Sequence, residues 1–285
     1  MEKIVVTGSQ GFVGSHLVRR LKKLGHTMCP IDLNYKPDPI DLTSYIDTKR
    51  HFEELTSCKT NPVLVFDLAT LPLPLSLKQP YEVAYKIYCM GTVLCELLRE
   101  GYIKKLIHIS SSEVFEPNTP YAAAKDAQDK LILSYAKSFG LNACIARPFN
   151  TYGPGQDLGA IIPATIKKIL SKQQPVLNGD GSQERDFIYV DDTVEGILWV
   201  GDNGERGKQY NITTEECRSM AWIIDTIVYL MKYKGKILHG PERPGDTKII
   251  HGKSDIPLKC KFGYVKGLER TIKWWKNSTL LTTQD

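Results

Sequence analysis

The stretch from Ser110 to Lys125 reads SSSEVFEPNTPYAAAK. It gathers hydroxyls at Ser111 and Ser112, a carboxylate at Glu113, a phenol at Tyr121 and an amine at Lys125. A hydroxyl, a phenol and a lysine held together can move a proton while a hydride changes hands. Tyr121 and Lys125 are four residues apart, which on a helix puts them on one face. Only nine residues separate Ser111 from Tyr121, and two of them are prolines. A loop that short costs little to close, and its prolines order it in advance.

A second constellation lies at the start of the chain. VTGSQGFVGSHL places Gly8, Gly11 and Gly14 between an apolar strand pattern and a helical one. Glycines there let the chain turn tightly and let backbone N–H groups approach a pyrophosphate at the positive end of the helix. A plain strand-to-helix turn needs one glycine, so three in this position point to a dinucleotide. Asp32 ends the second strand pattern, 18 residues after Gly14. An acid there accepts hydrogen bonds from both ribose hydroxyls and repels a 2′-phosphate, which favours NAD over NADP. Asp41, in IDLTS, has two readings, a carboxylate within reach of the adenine amino group or an acid at a helix N-terminus.

These groups need a scaffold, and the rest of the chain supplies its pattern. Apolar β-rich runs, KIVVTG, HTMCPID, PVLVFDLA, KKLIHISS and LNACIARP, alternate with helical patterns at 11–24, 44–55, 80–99 and 121–139. Short, nearly continuous apolar strands between helices imply an α/β fold, a doubly wound parallel sheet covered on both faces. LPLPL at 71–75 reads as a proline-rich loop. After Pro148 the texture turns polar and turn-rich, with helices expected at 160–170, from Asp192, and at 220–230. The chain therefore divides into a cofactor-binding domain at 1–150, with a later return segment near 186–203, and a smaller α/β substrate-binding portion at 151–285. Asp191 and Asp192 read as structural, one of them capping the helix that follows.

Composition narrows the function classes. With 285 residues and 42% hydrophobic content the chain can build a substantial core. Its net charge of +5 is dispersed, with no basic block and no interleaving of aromatic and basic residues, so no nucleic-acid partner is expected. No apolar run has the length of a membrane span, and the first residues run straight into a strand pattern without a signal peptide. The seven cysteines include no C-x-x-C pair, and the six histidines are scattered. Free thiols in a reducing cytoplasm, and no metal site, are the expectation.

Taken together, TGSQGFVGSHL, FDLAT, GTVLCELL, SSSEVF, YAAAK, RPFNTYGPGQ, ERDFIYVDDTVEGI, YNIT and RPGD resemble the extended short-chain dehydrogenases/reductases. Within them the likeness is to the NAD-dependent nucleotide-sugar epimerase/dehydratase family, and it covers nearly the whole chain. The resemblance implies a Rossmann-type domain, NAD as cofactor, and an enzyme acting through a 4-keto sugar, as a C4-epimerase or a 4,6-dehydratase on a UDP- or dTDP-sugar. A decarboxylase, a 4-keto reductase, and an NAD-binding sensor or scaffold without catalysis are the alternatives. It implies cofactor contacts at Gly8, Gly11, Phe12, Val13, Gly14, Asp32, Asp41, Leu68, Ala69, Tyr121 and Lys125. Tyr121 becomes the general base, its pKa lowered by Lys125 and the nicotinamide ring, with Ser111 holding the reacting oxygen. Glu113 is either a base toward C5 or an acceptor for nearby backbone N–H groups. Substrate contacts fall on Ser111, Ser112, Asn150, Arg185 and Arg243, the two arginines clamping the diphosphate through forked donors. The helices at 80–99 and 121–139 would pair between the subunits of a homodimer. The sequence departs from the family in the short segment before Tyr121, in Phe115-Glu116 where Tyr-Gly is usual, and in Tyr88 where Asn is common.

Overall fold

The structure is a computed structural model that describes residues 3–35 and 39–281. Its elements run β1 (Lys3–Thr7), α1 (Phe12–Lys23), β2 (Thr27–Ile31), α2 (Tyr45–Leu55), β3 (Val63–Asp67), α3 (Leu73–Ser76), α4 (Pro80–Arg99) and β4 (Ile103–Ile109). A 3-10 turn (Ser112–Phe115) leads to α5 (Pro120–Ser138), β5 (Ala143–Pro148), β6 (Asn150–Tyr152), α6 (Ile161–Leu170), β7 (Val176–Asn178) and β8 (Glu184–Tyr189). Then follow α7 (Val190–Asn203), β9 (Gln209–Ile212), β10 (Cys217–Ser219), α8 (Met220–Met231), β11 (Leu238–Gly240), β12 (Ile249–Ile250) and α9 (Tyr264–Leu281).

The chain forms two compact units, one of residues up to 148 with 194–212, the other of 149–193 with 213–285. The return segment is thus 194–212 rather than 186–203, because β8 joins the sheet of the second unit while β9 adds to that of the first.

In the first unit six strands lie in the order β2-β1-β3-β4-β5-β9, every neighbouring pair parallel. Burial on nearly every residue of β1, β3 and β5 explains why these strands read as continuous apolar runs rather than as alternating ones. Among the described residues β2 has one strand neighbour, and it carries Pro30, a residue tolerated on an edge. Two caps fix the helix starts that matter for the site. Ser44 accepts from Asp47 N at the start of α2, and Thr119 accepts from Ala122 N at the start of α5, followed by Pro120 at the first helical position. The expected loop at 71–75 contains the one-turn helix α3 instead. Its Pro74 falls in a first turn, where the missing N–H has no helical partner to lose.

The second unit centres on β8, which pairs antiparallel with β10 and parallel with β6 and β12; β7 and β11 form a separate parallel pair. Helix α7 begins at Val190. Asp192 does not cap it. Its two carboxylate oxygens accept from Lys261 N at 2.9 Å and Phe262 N at 3.1 Å, holding the segment that enters α9.

Candidate active site

The glycine loop closes on itself. Gly11 N donates to Gly8 O at 3.0 Å. Gly8 sits at φ +61°, and a Cβ there would lie 2.7 Å from Leu68 O. A Cβ on Gly14 would lie 2.1 Å from Gly8 O, so any side chain at the start of α1 would push the loop apart. Phe12 and Val13, half-buried, form the first residues of α1. Asp32 faces this loop, its Oδ2 accepting from Gln10 N at 2.9 Å and its Oδ1 from Asn34 N at 2.8 Å. Leu68 N and Ala69 N each donate to Thr7 Oγ1 at 3.1 Å, which fixes the segment after β3 against β1. Ser9 Oγ, inside the loop, is buried with no partner. A backbone cradle that no Cβ can enter, an acid at its rim and an unsatisfied hydroxyl inside it fit a dinucleotide phosphate and ribose. Asp41 makes local bonds through one of its two carboxylate oxygens. Its Oδ1 accepts from the Thr43 amide and hydroxyl at 2.9 and 2.7 Å, shaping the turn before α2.

The strand β4 and the helix α5 carry the reactive groups. Ser111 caps the 3-10 turn, its Oγ accepting from Glu113 N at 3.2 Å. Tyr121, in the first turn of α5, hydrogen-bonds through its side chain to Ser111 and to Thr70. The short PNTP link therefore does bring the serine and the tyrosine together. Burial, and then the charge of Glu113, push the Tyr121 phenol up to about 12, while the Ser111 and Thr70 hydroxyls act the other way. Ser112 is buried.

Lys125 follows Tyr121 by one turn of α5. It is only 1% exposed, and its ammonium donates to His108 Nε2 at 3.0 Å, Ile109 O at 3.0 Å and Gln128 Oε1 at 2.8 Å. All three N–H donors are engaged. His108 in turn bonds through Nδ1 to Asp67 Oδ2 at 2.8 Å, and Asp67 Oδ1 accepts from Thr7 Oγ1 at 2.6 Å. Gln128 also donates to Ile87 O at 3.0 Å. Gly91 makes room for it, since a Cβ there would meet Gln128 Cγ at 2.7 Å. Gln128 thus supplies a link between α4 and Lys125 beside Tyr88, which points outward, 45% exposed. Asp129 binds Ser110 Oγ at 2.7 Å and Arg147 at 2.8 Å. Thr70, Asp67, His108 and Gln128 are the residues that sequence reasoning missed.

In the second unit, Asn150 Oδ1 is buried without a partner. Arg185 is 4% exposed, its guanidinium bonded to Asp246 Oδ1 at 2.6 Å and to Glu184 O at 2.9 Å. Arg243 is exposed, in the turn where Asp246 N donates to Arg243 O at 3.2 Å. The Arg185–Asp246 pair therefore brings the Arg243 turn to β8.

Residues 4–213 match the family described as NAD dependent epimerase/dehydratase. The chain belongs to that family. NAD is the family's cofactor and the cofactor of this enzyme. One relative, a UDP-N-acetyl-alpha-D-glucosaminuronate decarboxylase of Bacillus cytotoxicus, is 30% identical over 96% of this chain and 98% of its own. A dTDP-D-glucose 4,6-dehydratase of Homo sapiens is 26% identical over 97% of this chain and 91% of its own. Among solved structures, the UDP-glucose 4-epimerase of Thermotoga maritima, crystallised with UDP-glucose, shares the fold with a TM-score of 0.88 at 22% identity, over 97% of this chain and 99% of that one. The three relatives carry three different outcomes on one family scaffold. Among the described residues no helix is long and apolar enough to cross a membrane. All seven cysteines are free.

Proposed function

We propose that this member of the family oxidises a UDP- or dTDP-linked sugar at C4 and then epimerises or dehydrates the keto sugar. The observation that carries the reading is the Tyr121 phenol hydrogen-bonded to Ser111 with the Glu113 charge beside it. NAD, held by Gly8, Gly11, Gly14 and Asp32, with Leu68 and Ala69 alongside, supplies the acceptance and return of a hydride. The chain's own residues manage the proton. Tyr121 takes it from the sugar hydroxyl, and Ser111 donates a hydrogen bond to the oxygen as charge gathers there. Within the chain burial favours the neutral phenol, so positive charge close to it, from Lys125 or from NAD when bound, would favour the phenolate. Glu113 is, in this reading, the base for the proton on C5. Asn150, with its unpartnered Oδ1, and Arg185 and Arg243, which one turn holds together, are the diphosphate contacts of this reading.

A decarboxylase is the second reading, favoured by Ser112-Glu113 and by the B. cytotoxicus relative. A scaffold that keeps NAD without turnover is the rival of another class. The short segment before Tyr121 leaves the sugar side open to a bulky substrate. Mass spectrometry with proton NMR on the protein, NAD and a panel of UDP-, dTDP-, GDP- and CDP-sugars decides among them. Loss of water identifies a dehydratase, unchanged mass with new sugar signals an epimerase, and loss of carbon dioxide a decarboxylase. No change with any sugar argues for the scaffold.

We read α4 and α5 as the faces through which two copies pair. Tyr81, Tyr85 and Tyr88 form an exposed stripe on α4, with the first two rings stacked at 6.1 Å. Light scattering should give twice the chain mass, and replacing Tyr81 and Tyr85 with serine should halve it. A cytoplasmic setting completes the reading, supported by the free thiols.

A further inference from the structure

The chain from Thr7 to Lys125 uses buried groups that the proton chemistry above leaves without a task. Asp67 ends β3, and His108 stands opposite it in register on β4. Both side chains are fully buried. Each interrupts a strand whose other side chains are mostly apolar, and a buried carboxylate–imidazole pair is costly to keep unless it serves something.

We propose that Asp67 and His108 are a positioning pair for Lys125: the carboxylate fixes the imidazole as the neutral Nδ1–H tautomer, and its Nε2 lone pair then holds the lysine ammonium at the NAD site. The polarity of the chain follows from its ends. Asp67 Oδ1 already accepts from the Thr7 hydroxyl, and Oδ2 can only accept from His108 Nδ1–H. That leaves Nε2 as an acceptor, 3.0 Å from Lys125 Nζ. Ile109 O and Gln128 Oε1 complete three acceptors around Nζ, the number an ammonium satisfies, so it is the fixed lysine charge and not a spare N–H that would act on NAD. Burial lowers Lys125, opposed by Asp129 and Asp67, and lowers His108 as well; lysine starts roughly four pH units more basic than imidazole, so the shared proton stays on the lysine.

Charge balance agrees. The charged groups that act on His108 are Asp67 from β3 and Lys125 and Asp129 from α5; Arg147 from β5 pairs with Asp129, the Cys95 thiol of α4 feels the Asp67 charge, and Tyr121 feels that of Asp129. Two carboxylates face two cations, and burial keeps the Cys95 thiol, near 12, and the Tyr121 phenol neutral. A protonated imidazole would add an uncompensated charge. Burial and the Lys125 charge hold His108 below the ordinary imidazole value, opposed by Asp67 and Asp129. The neutral tautomer therefore persists through neutral pH and is lost only in acid. There the new Nε2–H would repel Lys125 and turn toward Asp129 Oδ1, 3.5 Å away and without a hydrogen-bond partner. His108, not Lys125, thus sets the acid limit for holding NAD.

The inference rests on NAD binding at this site and not on the sugar chemistry, so it is tested on the protein without sugar. Nitrogen-15 NMR of the imidazole should show a protonated Nδ1 and a bare Nε2 at neutral pH; a protonated Nε2 there overturns the proposal. NAD titration calorimetry is the second readout. His108→Leu should weaken NAD by about tenfold, the loss of one charged hydrogen bond, while His108→Gln, whose amide can donate to Asp67 and accept from Lys125, should stay within about threefold. Leu and Gln variants that bind NAD as the wild type does, with only melting affected, would make the pair merely structural and sink the idea. Tighter NAD binding by His108→Leu would sink it too, by showing that the imidazole competes for the lysine. Should His108→Leu fail to fold, Lys125→Met serves. Removing the cation should raise the pH at which His108 titrates, and an unmoved titration overturns the proposal.

Discussion

The two units bury polar groups in different ways. In the first, side chain meets side chain across neighbouring strands, from Thr7 to Asp67 to His108 to Lys125, and from Gln209 to Arg147 to Asp129 to Ser110. In the second, buried side chains mostly hold backbone and loops. Asp192 takes the amides of Lys261 and Phe262, Asp186 binds Thr214 N and the Thr213 and Thr214 hydroxyls, and Arg185 ties down the turn bearing Asp246. A chain of side chains running to one lysine can tune a reacting group. A set of tethers fixes where segments lie. The first unit is therefore arranged for chemistry and the second for holding shape, and substitutions should separate the two.

The largest separation comes from Tyr121→Phe. Turnover should fall by about 10²- to 10⁴-fold, the usual worth of a general base, with NAD still bound and the fold kept. Turnover at the wild-type rate would remove Tyr121 from the mechanism. Gly14→Ala forces a Cβ to within 2.1 Å of Gly8 O and should abolish NAD binding as measured by calorimetry. Asp186→Ala should do the reverse of Tyr121→Phe. It removes the acceptor of the buried Thr213 hydroxyl and of the Thr214 amide and should cost about 2–3 kcal/mol in urea unfolding, with NAD affinity intact. A large drop in NAD affinity there would erase the distinction between the units.

The pH response sharpens it further. Burial alone would raise Asp67, but His108, with Lys125 and Thr7, holds it below its ordinary value. His108 is depressed as well. Both bind protons less readily when folded, so the stability they contribute is complete above the ordinary imidazole value, about 6.5, and is lost as pH falls through the depressed His108 and then the depressed Asp67. Asp67→Asn should flatten the acid limb of a stability–pH curve, and an unchanged limb would place acid sensitivity elsewhere. The smallest effect is Thr119→Ala, which removes the α5 cap and should cost about 1 kcal/mol in thermal melts.

What the sequence shows and hides follows physical lines. The glycine loop, Asp32 and the strand–helix alternation are local features, and α4 falls at the expected 80–99. Ser111, Tyr121 and Lys125 are close in the chain, so spacing and family likeness suffice to pick them out. Asp67 and His108 lie 41 residues apart and meet only through strand register, which no local pattern fixes. A signal existed all the same, one ionisable residue near the end of each of two apolar strands. The direction of the Lys125 side chain was hidden for the same reason, because its acceptors come from β4 and from the Gln128 that Gly91 admits. Asp192 misled because an acid near a helix start ordinarily caps it; here a distant segment claims the carboxylate.

Pro30 has a consequence outside the reaction. A strand with one neighbour offers its other side to any passing chain, and matching edges can stack into fibres. Proline brings no N–H to such a template, so the ladder is interrupted one residue before the end of β2. Replacing Pro30 with valine would restore an uninterrupted edge, and concentrated protein should then cloud on warming sooner than the natural chain.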